Sequence, residues 1–176
     1  MYADNTLTPK EATRLCALGT LAQGPVSYAA LAESVRHFIS HVMGPSLDVM
    51  APAIELLKYE GLVTTEGDAD AADLSITEAG RTEFVTLMTA DLRASGAELN
   101  RLIVALKFRF LHLLDTTQQR DQAAILAGAT ENELARLDEL RRHHANDTGH
   151  LVGWLDREIT SLEERLAWLE GFAGRL

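Results

Sequence analysis

The sequence has one cysteine, Cys16, in 176 residues, which excludes an intramolecular disulfide and a cysteine-rich zinc site and fits a reducing compartment. It has no apolar run approaching the roughly 18 residues that cross a bilayer, and residues 1–9 lack the basic start and apolar stretch of a signal peptide. A cytoplasmic protein without a membrane partner is the expectation. There is no glycine-rich phosphate loop, no nucleophile elbow and no His-Glu metal helix. Neither an enzyme nor a bound cofactor is therefore expected. Positive charge is also scarce, with 16 Lys and Arg against 26 Asp and Glu for a net charge of −10. In residues 1–93 six basic residues face thirteen acidic ones. Wholesale coating of nucleic acid is excluded, because phosphate binding needs a basic footprint. A local basic face is not.

Apolar residues are plentiful, at 47%, enough for a packed core. Thr8-Pro9-Lys10-Glu11 is a helix start, with threonine as cap, proline at the first helical position and glutamate three residues on. Gly24-Pro25 ends that helix, and Ser27 caps a second from Tyr28 to about Ser40. A third runs from about Leu47 to Glu60. Proline is awkward in a helix interior, so the start is left open between Leu47 and a point near Asp48 that would place Pro52 in the first turn; Gly61 closes the helix. Leu62–Glu66 and Leu74–Thr77 are short β-prone runs joined by the acidic loop 67–73. Thr77 caps a fourth helix towards Ala94. After Ser95-Gly96 there is only helix: Ala97–Leu114 with one wide apolar stripe, then a helix from Asp115 to about Ala145. The turn 146–149 leads to a last helix with Leu155, Ile159, Leu162, Leu166, Leu169 and Ala173 at spacings of four and three, the pattern of a helix-on-helix seam.

Two segments carry a resemblance. Pro52-Ala53-Ile54-Glu55-Leu56-Leu57-Lys58-Tyr59-Glu60-Gly61-Leu62-Val63 resembles the recognition helix and wing entry of PadR-like regulators. Leu74-Ser75-Ile76-Thr77-Glu78-Ala79-Gly80-Arg81 resembles the strand and helix start that follow their wing. The resemblance implies a mainly α fold with a small two-stranded β-wing, an N-terminal winged helix-turn-helix DNA-binding domain over residues 1–94 and a long-helix dimerisation domain over 95–176. It implies a homodimeric repressor of transcription with double-stranded DNA as partner. This chain departs from the family at Ala51, where an aromatic residue is usual, at Glu55 and Leu56, where basic residues are usual, and in its acidic wing (Glu66, Asp68, Asp70, Asp73).

The candidate DNA-contacting residues are Tyr28, Arg36, Ser46, Asp48, Lys58 and Tyr59, with Arg14 as a further backbone contact. Leu155, Ile159, Leu162, Leu166 and Leu169 are the candidate dimerisation residues. Trp154 and Trp168 lie on roughly one side of the last helix. Relatives of this kind hold flat aromatic compounds between such helices, which makes both tryptophans candidates for lining a site for a small aromatic effector, with Trp168 expected to be the more protected. His37 and His41 have the spacing of two ligands on one helix face but no third ligand, so no metal site is expected. His143, His144 and His150 are read as an exposed helix end, and Cys16 as an inert core thiol. The rival reading is a protein-interaction adaptor that keeps the winged-helix fold and binds DNA weakly or not at all.

Overall fold

Thr8 opens the first helix as its neighbours require: its Oγ1 accepts from the Glu11 amide at 3.3 Å while the Glu11 carboxylate accepts from the Thr8 amide at 2.7 Å. This reciprocal cap satisfies two amides that the helix itself leaves open. The computed structural model describes residues 5–44, 51–66, 73–93 and 97–176. The elements are α1 (Pro9–Ala22), β1 (Val26–Ser27), α2 (Tyr28–Met43), α3 (Ala51–Tyr59), β2 (Val63–Glu66), β3 (Asp73–Ile76), α4 (Glu78–Met88), α5 (Ala97–Phe110) with a 3-10 turn over Leu111–Leu113, α6 (Thr116–His143) and α7 (Leu151–Ala173). They form two units, Met1–Asp115 and Thr116–Leu176. No helix among the described residues is long and apolar enough to cross a membrane.

In the first unit α1 packs against α2, α3, α4, α5 and β3, and it buries residues almost all round: Ala12, Leu15, Cys16, Ala17, Leu18 and Leu21. Gly19 is dictated by a close approach, since a Cβ there would lie 2.6 Å from the Phe110 ring. That ring meets Phe84 edge-on at 6.2 Å, tying α1, α4 and α5 together. The sheet has the order β1-β3-β2, all antiparallel, with Val26 opposite Leu74 and Val63 opposite Ile76. The winged fold is as expected, but the sheet has three strands instead of two. The extra strand, Val26–Ser27, is too short to show any alternation in sequence. Ser27 also caps α2, accepting from the Ala30 amide at 3.3 Å. The expected start of α3 near Asp48 lies outside the described residues; from Ala51 the helix is described, with Pro52 as its second described residue.

Two boundaries differ from expectation. Helix α4 stops at Met88 instead of continuing towards Ala94, and the chain then pairs back, with the Asp91 amide donating to the Asn5 carbonyl at 2.8 Å and Asp91 bridging to Thr6. The first unit runs to Asp115, past the joint read at 94–95, because the stripe on α5 (Leu102, Ile103, Leu106, Phe110) is buried within it. Lys107 lies in that stripe, fully buried. Its Nζ donates to the carbonyls of Met88 at 2.6 Å and Ala90 at 2.8 Å, supplying donors where α4 runs out of its own.

The second unit is a hairpin of α6 and α7. Gln122, Ala123, Leu126 and Thr130 of α6 and Leu155, Ile159, Leu162 and Leu169 of α7 are buried. Arg141 pairs with Asp156 and His144 with Asp147 near the turn, where Gly149 takes a φ of 142°.

Burial pushes the Lys107 ammonium down from 10.5 to about 8, with Asp91 acting the other way. A lysine depressed in this way is neutral in the folded chain while still protonated in the unfolded one. Stability therefore rises with pH between those two values, by about 3 kcal/mol for this group. The buried Cys16 thiol, pushed up from 9.0 to about 12, acts in the opposite sense above pH 9. In a Cys16→Ala background, urea unfolding should show stability climbing from about pH 8 to about pH 10. The climb should vanish in Cys16→Ala/Lys107→Met. A flat profile in the lysine-containing chain would contradict this assignment.

Candidate functional site

Helix α3 is held at its C-terminal end by backbone geometry that the sequence Tyr59-Glu60-Gly61-Leu62 dictates. The Leu62 amide donates to the Leu57 carbonyl and the Gly61 amide to that of Lys58, both at 3.0 Å, with Gly61 at a φ of 71°, the left-handed residue such a helix end needs. Thr77 locks this corner to the wing: its amide donates to Leu62 O at 3.0 Å and its hydroxyl to Gly61 O at 2.8 Å. Its hydroxyl also accepts from the Gly80 amide at 3.1 Å, so one threonine caps α4 and fastens α3. Gly80 allows the approach, since a Cβ there would lie 2.1 Å from Leu62 O. Arg14 adds an ionic clamp, reaching Glu60 at 2.8 Å and Glu83 at 3.2 Å.

This mounting gives α3 two faces. Ile54 and Leu57 are buried, whereas Glu55, Leu56, Lys58 and Tyr59 are exposed, Tyr59 to 90%. Lys58 and Tyr59 are thus adjacent on the outward end of the helix. Arg36 is exposed on α2; Tyr28, half-buried, opens that helix about two turns earlier. Ser46, Asp48 and the wing loop 67–72 lie outside the described residues. Arg14 is not an outward contact: it is engaged by two glutamates, because α1, α3 and α4 converge around it. His37 and His41 lie with ring centroids 4.1 Å apart and planes tilted by 39°, and no group of three or more metal-ligating side chains occurs among the described residues.

The seam residues of α7 lie mostly inside the single chain. Leu155, Ile159, Leu162 and Leu169 are buried and Leu166 is half-buried. Trp154 and Trp168 point outward, 54% and 51% exposed, with Trp168 stacked on Phe172 at 5.5 Å. The expected difference in protection between the two tryptophans is absent from the folded chain, because α6 covers the leucine face of α7 and both rings project beside it. Cys16 is buried with its thiol raised, as a core residue should be.

Sequence reasoning missed Arg109. It lies on α5 with its guanidinium over the rings of Phe38 at 4.6 Å and Phe110 at 4.9 Å, beside a cleft of about 340 Å³ lined by Ala30, Glu33, Ser34, His37, Phe38 and Arg109. The available signal was the spacing of Ala30, Ser34 and Phe38, small and aromatic residues on one face of α2.

The family model "Putative AphA-like transcriptional regulator" matches residues 2–173. No curated protein matches the chain. Solved structures with some similarity include Bacillus subtilis PadR in complex with operator DNA, at 15% identity over 92% of this chain and 97% of that one, with a TM-score of 0.36. Bacillus subtilis PadR in complex with p-coumaric acid shows 14% identity over 97% and 98%, TM-score 0.37. The PadR-like transcriptional regulator BC1756 from Bacillus cereus shows 18% identity over 93% and 96%, TM-score 0.38. A family match spanning nearly every residue agrees in kind with the regulator class indicated by residues 52–63 and 74–81: the chain belongs to the AphA-like family of transcriptional regulators and is not an enzyme.

Proposed function

We propose that the chain is a homodimeric repressor that reads duplex DNA with α3, the wing lying alongside. The observation that carries this reading is the outward end of α3. An exposed lysine beside a tyrosine at 90% exposure serves no purpose in the core, and both types suit phosphate and groove contacts. Tyr28 and Arg36 of α2, with Ser46 and Asp48, complete the contact set. A dimer occupying its operator blocks transcription by excluding the polymerase.

The acidity of residues 1–93 favours the second reading, a protein-interaction adaptor, and Arg14 is already neutralised by Glu60 and Glu83. The two readings separate by fluorescence anisotropy on the chain's own upstream duplex and on a scrambled one, at several salt concentrations. Few phosphates are neutralised, so the slope of log affinity against log salt is expected to be shallow, each contact contributing roughly 0.9. Lys58→Ala should weaken binding. Replacing Asp68, Asp70 and Asp73 with asparagine should strengthen binding to both duplexes alike, since phosphate contacts carry no sequence information. No binding to either duplex at low salt selects the adaptor.

Dimerisation is assigned to the second unit. Its leucine stripe (Leu155, Ile159, Leu162, Leu166, Leu169) holds the hairpin, which then presents Leu140, Leu151, Trp154 and Trp168 as exposed apolar surface, more than a solvated helix pair requires. Either tryptophan could also line a pocket for a small aromatic effector at such a seam. Light scattering should give a dimer for the full chain and a monomer, with helical circular dichroism intact, for Trp154→Glu/Trp168→Glu. Leu162→Asp should instead lose helicity, because a buried unpaired carboxylate is costly. A dimeric double variant would rule out this surface.

A further inference from the structure

The outward end of α3 has a carboxylate beside it. Glu60 follows Lys58 and Tyr59 directly, and its amide continues the helical pattern by donating to Leu56 O at 2.9 Å. Its side chain therefore leaves the chain one turn beyond Leu56, which is itself exposed. From that place a free glutamate side chain reaches the surface around Tyr59. A carboxylate there would oppose an anionic partner, because like charges at such range repel.

Arg14 holds the carboxylate elsewhere. Among the described residues it is the one cation that reaches two acids: its Nη2 lies 2.9 and 2.8 Å from the two Glu60 oxygens, and its Nη1 lies 3.2 Å from Glu83 Oε1. The fork of a guanidinium suits this task, since its separate N–H edges fix two acids in direction as an ammonium does not. Arg14 belongs to α1, which packs against both α3 and α4. The pull on Glu60 is thus towards the helices that α3 is buried against. The Glu60 side chain is 33% exposed, whereas its neighbour Tyr59 is exposed to 90%.

We infer that Arg14 is a positioning residue for the outward end of α3: by anchoring the Glu60 carboxylate next to Glu83 it keeps Lys58 and Tyr59 open to an anionic partner. The inference deepens the reading of α3 as the DNA-contacting helix and rests on it only for the identity of that partner. The field at the helix end belongs to the chain alone. Coulomb contributions of fixed charges add, so if Arg14 acted only through its charge, the effects of removing Arg14 and Glu60 would be independent. Anchoring makes them dependent, because the Glu60 charge is felt at Tyr59 only once Arg14 is gone.

The test without DNA uses the full chain with Tyr59→Cys carrying an uncharged fluorophore, and compares quenching by iodide, an anion, with quenching by neutral acrylamide. The buried Cys16 does not take the label. Arg14→Gln should lower the iodide-to-acrylamide ratio by about 1.5- to threefold at low salt. Adding Glu60→Gln should restore it, whereas Glu60→Gln in the parent chain should raise it by less than about 1.3-fold. Lys10→Gln, the same loss of charge one turn earlier on α1, should combine with Glu60→Gln additively. In the unlabelled chain, fluorescence anisotropy on duplex DNA should follow the same pattern, with binding about two- to fivefold weaker in Arg14→Gln and restored by Glu60→Gln. Urea unfolding of each variant separates a merely structural role, in which Arg14→Gln loses stability while both readouts of the folded chain stay at the parent level. Should Arg14→Gln not fold, two exposed positions decide. Glu55, exposed on α3 and without an ion pair among the described residues, should raise the iodide ratio when changed to Gln, and Glu60→Gln should not. Additive effects of Arg14→Gln and Glu60→Gln, an unchanged ratio in folded Arg14→Gln, or equal gains from Glu55→Gln and Glu60→Gln would each overturn the inference. Coupling in the iodide ratio without binding to any duplex would uphold it and count against DNA as the partner.

Discussion

The first unit is organised by one constraint: α1 must be acceptable to neighbours on nearly every side. It touches four helices and the central strand, so its residues cannot be large everywhere, and its buried Thr13 turns its hydroxyl back to the Pro9 carbonyl of the same helix. Gly19 lets the Phe110 ring come against the backbone. Cys16 fills the space beside it. Arg14 is half-buried and paired with Glu60 and Glu83. The position of α3, and hence the direction in which Lys58 and Tyr59 face, depends on this one helix being packed correctly.

Much of this was readable in the residues themselves, because local rules and tertiary structure agree. Thr8, Ser27 and Thr77 each cap the helix their position announces, and Gly61 closes α3 with the dihedral its missing Cβ permits. What could not be read is where apolar stripes are used. The stripe of α5 looked like part of a dimerisation domain, yet it completes the core of the first unit, since an apolar face does not name its partner. The stripe of α7 looked like a subunit seam and is largely consumed by α6. Lys107 offered a signal: it stands four residues after Ile103 and three before Phe110, both buried, so a charged residue occupied a core position.

The electrostatics of the first unit follow from these placements. Counted along the chain, residues 1–93 have six basic residues; counted on the surface they have fewer, because Arg14 is spent on an ionic clamp. On α5, Lys107 serves backbone carbonyls and Arg109 lies against aromatic rings. Three cations of the first unit, Arg14, Lys107 and Arg109, are thus structural. Lys58 and Arg36, by contrast, are exposed on α3 and α2.

The pairing of Asn5 and Thr6 with Asp91 has a topological consequence. The polypeptide enters and leaves the winged helix side by side, so residues 5–91 form a closed cassette whose two ends share one doorway. That doorway does not end the fold: α5 follows it and completes the core, so a segment set into another host has to carry residues 5–115 and not stop at 91.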